Sequence, residues 1–324
     1  MAREPGRIED EVFRVDPHWR GLRLDHFLRE MIPSMSRSKI QRYLRAGLVT
    51  VDGRPRAANA KVQTGEEVRL RPVFPGEDLE AGRRIELAVL HEDEDLIAVD
   101  KPAGLRVHPA AGHRHDTLLN ALEWRYAGTA DGPTPTLAHR LDRDTSGVVV
   151  AARHREAREH LQRQFEERRV AKTYLALVEG VPVPDAGAID LPLAAARDPR
   201  AVRKTLVVSA EHADAKPART DYAVVERFAP RAGLPRGAAL VEACPHTGRQ
   251  HQIRVHLAAL GHPILGDDRY GQAPPLELGA ARLERCALHA ARLELDHPRD
   301  GRRLEFVAPL PADLLAAVAA MRAG

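Results

Sequence analysis

The chain has 324 residues, of which 44% are hydrophobic and 29% charged, and its 49 Lys and Arg against 46 Asp and Glu leave a net charge of +3. That length and apolar content suit one large globular domain with an appendage, or two domains, while the only cysteines, Cys244 and Cys286, rule out a disulfide scaffold and make no metal or redox spacing. The N-terminus lacks an apolar signal core and no stretch nears the roughly 20 apolar residues of a membrane span, so a cytoplasmic protein with no membrane partner is expected.

Residues 1–19 read as an N-terminal tail. In "LRLDHFLREMI" the residues Leu22, Leu24, Phe27, Leu28 and Met31 recur at helical spacing, which predicts an amphipathic helix. A second helix follows in "SMSRSKIQRYLRAG", with Ser34 or Ser36 as cap, Ile40, Tyr43 and Leu44 as apolar face and Gly47 as stop. "LVTVDGR" predicts a strand ending in an Asp-Gly turn, and "EEVRLRP" another strand. Residues 72–86, rich in Pro, Gly and mixed charge, read as a linker.

Residues 87–324 have a different texture. Strand-like runs recur at "LIAVD", "GVVVAA", "TYLALVEG", "DYAVVERF", "ALVEAC" and "RLEFVAP". "REAREHLQRQFEER" reads as a helix, with Leu161 and Phe165 one turn apart, and "LLAAVAAM" as a helix packed on the domain. The expected class is α+β, with a large mixed or antiparallel sheet flanked by helices and a small α/β domain in front. There is no solenoid repeat and no low-complexity tract.

Between Ser34 and Arg56, six basic residues, among them Arg37, Lys39, Arg42 and Arg45, face one acidic residue, Asp52. A one-signed face of this kind suits RNA phosphates better than a solvated helix surface. Residues 20–71 also resemble the RNA-binding module first described in ribosomal protein S-four, which implies RNA binding by shape and backbone but no reaction.

The densest charge lies in "HRLDRDTSG", residues 139–147, just before a valine run that should be buried. Taken alone, such a cluster could be structural, with Asp142 capping a turn and Arg140 neutralising it. "AKTYLALVEG" and "PHTGRQHQIRVHLAALGHPILGDDRYG" shift the weight toward one polar cleft, joined by the Lys101 segment "VDKPAGLRVHP". Ser146 lacks a nucleophile-elbow context, His246, His251, His256 and His262 form no zinc motif, and there is no nucleotide-binding loop. What remains is a single carboxylate braced by arginine, acting as nucleophile or base without a metal or cofactor.

With these segments in this order, residues 90–312 resemble the pseudouridine synthases of the RluA type. "HRLD..TSG", "KTYLALVEG" and "GRQHQIRVHLAALGHPILGDDRYG" carry the resemblance, together with "KPAGLRVHP" and the closing "LHAARLELDHPRDGRRLEFVAPLP". The resemblance implies an isomerase that turns uridine into pseudouridine in RNA and needs no cofactor. It makes Asp142 the catalytic aspartate, Arg254 its arginine partner and Tyr174 the residue that stacks on uracil and helps with the proton at carbon-5. Arg140 takes the place of the flipped uridine, Ile253 lines the uracil pocket, and His139 and Thr145 fall on the substrate side of the cleft. Asp144 is read as a turn or surface residue, and the histidine-rich stretches as RNA contacts. The loop at 192–208 lacks the family's Met, with Thr205 in its neighbourhood, so no contact is carried through it.

The RNA module favours large-subunit (23S-type) ribosomal RNA as partner, with transfer RNA the near alternative, and nothing requires more than a monomer. Two readings from other classes compete: a non-catalytic ribosome-assembly protein, and a metal-dependent nuclease using His246, His251 and His256.

Overall fold

The computed structural model describes residues 10–32, 35, 37–71, 85–108, 116–126, 135–196 and 204–323, apart from the side chains of Ser38, Lys39 and Arg42. Two compact units divide the chain, one within Met1–Ala81 and the other built from Gly82–Tyr126 and Thr134–Gly324. Most of the expected linker, 72–84, lies outside the described residues.

In the first unit β1 (Glu11–Arg14), α1 (Leu24–Met31), α2 (Arg37–Arg45), β2 (Val49–Val51), β3 (Arg54–Pro55) and β4 (Glu67–Leu70) form two helices against an antiparallel sheet of order β1-β4-β2-β3. Leu24, Phe27, Leu28, Ile40, Tyr43 and Leu44 are buried against Val49, Val51, Val68 and Leu70, as the helical spacing requires. Met31 is the exception. It is exposed, and Ile32 takes the buried place at the helix end. Asp52 and Gly53 both have positive φ, 48° and 74°, the backbone that a two-residue hairpin turn demands. The expected tail also changes character, because β1 pairs with β4 and Val15 is buried in the core, so residues 11–19 belong to this unit.

The second unit runs β5 (Ala88–Glu92), β6 (Leu96–Lys101), α3 (Leu118–Arg125), β7 (Thr136–Leu137), β8 (Ser146–Ala152), α4 (Arg155–Glu166), β9 (Ala171–Glu179), β10 (Ala186–Asp190), β11 (Leu193–Ala195) and β12 (Thr205–Val207). It continues through β13 (Arg219–Phe228), β14 (Ala238–Pro245), α5 (Gln252–Ala259), β15 (Leu276–Leu278), β16 (Ala281–Leu283), β17 (Leu288–Asp296), β18 (Arg303–Val307) and α6 (Ala312–Ala323). Ten strands make one sheet of order β10-β13-β14-β9-β17-β8-β6-β5, with β18 on β17 and β7 on β8. Among the described residues β17 and β8 alone pair as parallel strands, so the sheet is mixed. The architecture is α+β, as expected from the sequence.

Every residue of β8 is buried, which the unbroken run "SGVVVAA" encodes. Its first residues cross β17 closely, and a Cβ added to Gly147, whose φ is +114°, would collide with the backbone of Ala290. Only glycine fits there. Gly147→Ala is therefore expected to destabilise the second unit by about 3 kcal/mol or more, measured as a drop in urea midpoint. A change below about 0.5 kcal/mol would contradict this reading of the crossing.

Candidate active site

The loop between β7 and β8 delivers Asp142 to a cleft of about 620 Å³, within the range of small-molecule sites. The cleft is walled by β9, which brings Tyr174, and by the turn and first residues of α5, which bring His251, Ile253 and Arg254. Alternate residues of a strand share a face, so Lys172 and Tyr174 line the same wall.

Arg254 is the organising cation. Its Nε and Nη2 donate to Asp267 at 2.8 and 2.6 Å, Nη2 also reaches Asp268 at 3.2 Å, and Nη1 lies 3.5 Å from Asp142 Oδ2. Asp267 is wholly buried and accepts the backbone N–H groups of Arg269 and Tyr270 as well. Burial pushes its carboxyl up, but the guanidinium and these amides outweigh that and hold it below its ordinary value. Burial alone would lower the Arg254 pKa, and Asp267 more than reverses this, so the guanidinium stays charged.

His251 sits on the same carboxylate, with Nε2 3.8 Å from Asp142 Oδ2 and Nδ1 3.0 Å from the Tyr270 hydroxyl. The Tyr270 oxygen accepts the Thr205 amide at 2.8 Å, which leaves its own proton for Nδ1 and turns Nε2–H toward Asp142. The ring reaches this place because His251 is held at φ +55°, a left-handed backbone that a non-glycine residue adopts at some cost. Both braces act on Oδ2 of Asp142 rather than on Oδ1.

The loop is anchored from beneath by two buried cations. Lys101, fully buried, donates to the carbonyls of Pro102, Leu105 and Arg143 at 2.8, 2.9 and 3.1 Å, and burial pushes its ammonium down to about 7. Arg285 donates to the Asp144 carbonyl at 2.9 Å and to the Ser146 hydroxyl at 3.2 Å. The chain is thus fixed at the residues that directly follow Asp142.

The sequence-predicted residues fall as follows. Asp142, Tyr174, Arg254, Arg140, Ile253, His139 and Thr145 all line the one cleft. Arg140 is exposed and does not neutralise Asp142, a task that falls to Arg254. His139 is committed to the fold. Its Nε2 accepts the Val150 amide at 3.1 Å, its ring stacks on Phe165 at 5.0 Å, and burial, then the charge of Lys172, pushes it down to about 3. Asp144 pairs with Arg143 on the exposed side, at 2.8 Å for both oxygens. Burial and the charge of Asp142 raise the Tyr174 phenol above its ordinary value, so it enters as a neutral hydroxyl.

The histidines do not converge on a metal. His246 pairs with Asp221 at 2.7 Å, and His256 is bound to the Thr220 hydroxyl and the Leu191 carbonyl at 2.9 and 3.0 Å. Among the described residues, one group with metal-like spacing is Asp93, Asp95 and His297. Its atoms are already engaged with one another and with His91, His154 and Arg299, which ties the β5–β6 turn to the β17–β18 turn.

In the first unit Arg37 and Arg45 are exposed on α2, Arg37 3.9 Å from Asp25 and Arg45 donating to the Gln41 carbonyl at 3.2 Å. The side chains of Lys39 and Arg42 lie outside the described residues. Residue-type reasoning drew Lys101 into the polar cleft, whereas it lies beneath the loop, and passed over Asp267 and Tyr270 as braces of Arg254 and His251. The available signal was an arginine on a helix opening, which when buried needs a carboxylate, followed thirteen residues later by one in "GDDRYG".

Residues 95–259 match the model of the RNA pseudouridylate synthase family, and residues 22–68 match the S4 domain. The ribosomal large subunit pseudouridine synthase D of Nitrosomonas europaea is 40% identical over 306 residues, 93% of this chain and 85% of that protein. An uncharacterized RNA pseudouridine synthase of Chloroflexus aurantiacus is 44% identical over 310 residues, covering 94% of this chain and 92% of its own length. In structure, human RNA pseudouridylate synthase domain containing 4 superposes with a TM-score of 0.57 and 31% identity over 72% of this chain and 93% of that one.

Proposed function

We propose that this chain, which belongs to the RNA pseudouridylate synthase family, isomerises specific uridines of large-subunit ribosomal RNA with Asp142 as the reacting carboxylate. The single observation that carries the mechanism is the convergence of Asp142, Arg254 and Tyr174 in one cleft, with Arg254 3.5 Å from Asp142. The relatives named as large-subunit synthases and the S4 domain support the choice of RNA.

A uridine stacked in RNA cannot reach Asp142, so it must leave the helix at a cost of a few kcal/mol. Arg140, exposed at the cleft, fills the vacated place. Asp142 then attacks the ribose or removes a sugar proton, while Arg254 and His251 hold its Oδ2. The freed uracil turns between the Tyr174 ring and the apolar surface of Ile253 and Leu288, which offers no hydrogen bonds to arrest it. After rejoining through carbon-5 the ring must lose the proton there. Tyr174, a neutral phenol, can accept it only by giving its own proton to water in the open cleft. Thr145, buried beside the loop, serves on the substrate side through its place in the wall.

The exposed Arg37 and Arg45, with Lys39 and Arg42 on the same helix, provide the RNA-binding face of the S4 domain. A ribosomal RNA substrate suits a monomeric cytoplasmic protein. No described helix is long and apolar enough to cross a membrane.

The test is tritium release from large-subunit rRNA transcripts labelled at uracil carbon-5, with EDTA present. Multiple-turnover release is expected. No release from rRNA, with release from transfer RNA, would overturn the substrate assignment, and release from neither would overturn the reaction.

A further inference from the structure

We propose that Lys172, with Arg168 beside it, forms a seat for an RNA phosphate next to the flipped uridine, an inference that rests on the reading above and deepens it. The cations that line the cleft have unequal commitments. Arg254 is used up by Asp267, Asp268 and Asp142, and Arg249 donates to the Pro217 carbonyl at 3.3 Å. Lys172 is half-buried in the wall and has neither a hydrogen bond nor an ion pair among the described residues. Its charged neighbour is Arg168, another cation without an ion pair among those residues, which stands at φ +59° just beyond α4. Glu166 lines the same wall without pairing to either.

A surface lysine normally trails its stem over apolar groups and keeps its ammonium in water. Here the ammonium is partly withdrawn from water beside a like charge, and burial, then Arg168, push its pKa down. The folded protein therefore carries an electrostatic cost that an incoming anion relieves. Position names the anion. Lys172 and Tyr174 share one face of β9 and are separated by about 7 Å along the strand, the scale of one nucleotide. With uracil stacked on Tyr174, a phosphodiester of the same strand comes within reach of Lys172 and Arg168.

The experiment compares native protein with Lys172→Gln, Arg168→Gln and Lys172→Arg. It reads filter-binding Kd for a large-subunit rRNA transcript across a KCl series, and steady-state tritium release. Each Gln variant is expected to raise Kd and KM several-fold and to flatten the slope of log affinity against log salt by about 0.7–0.9, the signature of one lost phosphate contact. At saturating RNA kcat stays within about twofold, and Lys172→Arg keeps the native slope. An unchanged salt slope overturns the seat, whether or not kcat falls. Binding without tritium release by the native protein would refute the reaction instead, while the salt slopes would still test the seat.

Discussion

Asp142→Asn is expected to lower tritium release by at least about 10⁴-fold while leaving RNA affinity within about threefold of native. The amide keeps the size of the carboxylate but is neither a nucleophile nor a base, and losses of this order follow removal of a reacting group. The fold should not suffer. Arg254 retains its two short bonds to Asp267, and the loop is held through main-chain carbonyls by Lys101 and Arg285, so Asp142 contributes little to its own position. Circular dichroism and the thermal midpoint should match native. An asparagine variant that turns over within tenfold of native would remove Asp142 from the reaction and direct attention to Asp144.

Asp267→Ala should have the next largest effect, and on two readouts at once. It leaves the nearly buried Arg254 without its bidentate partner, a defect expected to cost about 3 kcal/mol or more. The freed guanidinium would swing toward Asp142 and Asp268, so kcat should also fall by roughly 10²-fold through loss of the Asp142 geometry. Asp267→Asn, which keeps one acceptor, should recover part of both. Because the Asp267 carboxyl is held below its ordinary value in the folded protein, its stabilisation is complete at neutral pH and is lost as the pH falls through that depressed value. Urea midpoints from pH 7 to pH 3 should therefore converge for native and Asp267→Ala. Parallel curves, or full activity in the alanine variant, would show that Arg254 is positioned by other contacts.

Much of this was legible in the residues themselves. The charged run ahead of "GVVVAA" marked a loop entering a buried strand, and that is where Asp142 stands. Helical spacing identified α1, α2 and α4. The strand β17 was not recognisable as one, although it is central to the sheet. In "LHAARLELD" the alternation breaks at Ala290–Ala291–Arg292, and the pairing with β9 shifts register between Ala290 and Arg292, so a bulge hides the period. The four residues of β1 are too short to declare themselves, and gain their definition from β4. The opening of α5 offers no periodic stripe to read, because its buried face extends nearly all round. The part played by His251 depends on a backbone angle of +55°, which no spacing rule encodes.

The order of strands bears on how the molecule is made. β17 lies between β8, which follows the Asp142 loop, and β9, which carries Tyr174, and it is the element that joins those two halves of the sheet. Translation reaches β17 only after β8 and β9 have both been made. Until then a nascent chain holds two partial sheets with open edges facing each other, and its carboxylate and its aromatic wall have no common scaffold. The cleft is therefore unassembled until β17 has been made, and a product truncated before Asp296 would keep the S4 domain without a formed cleft.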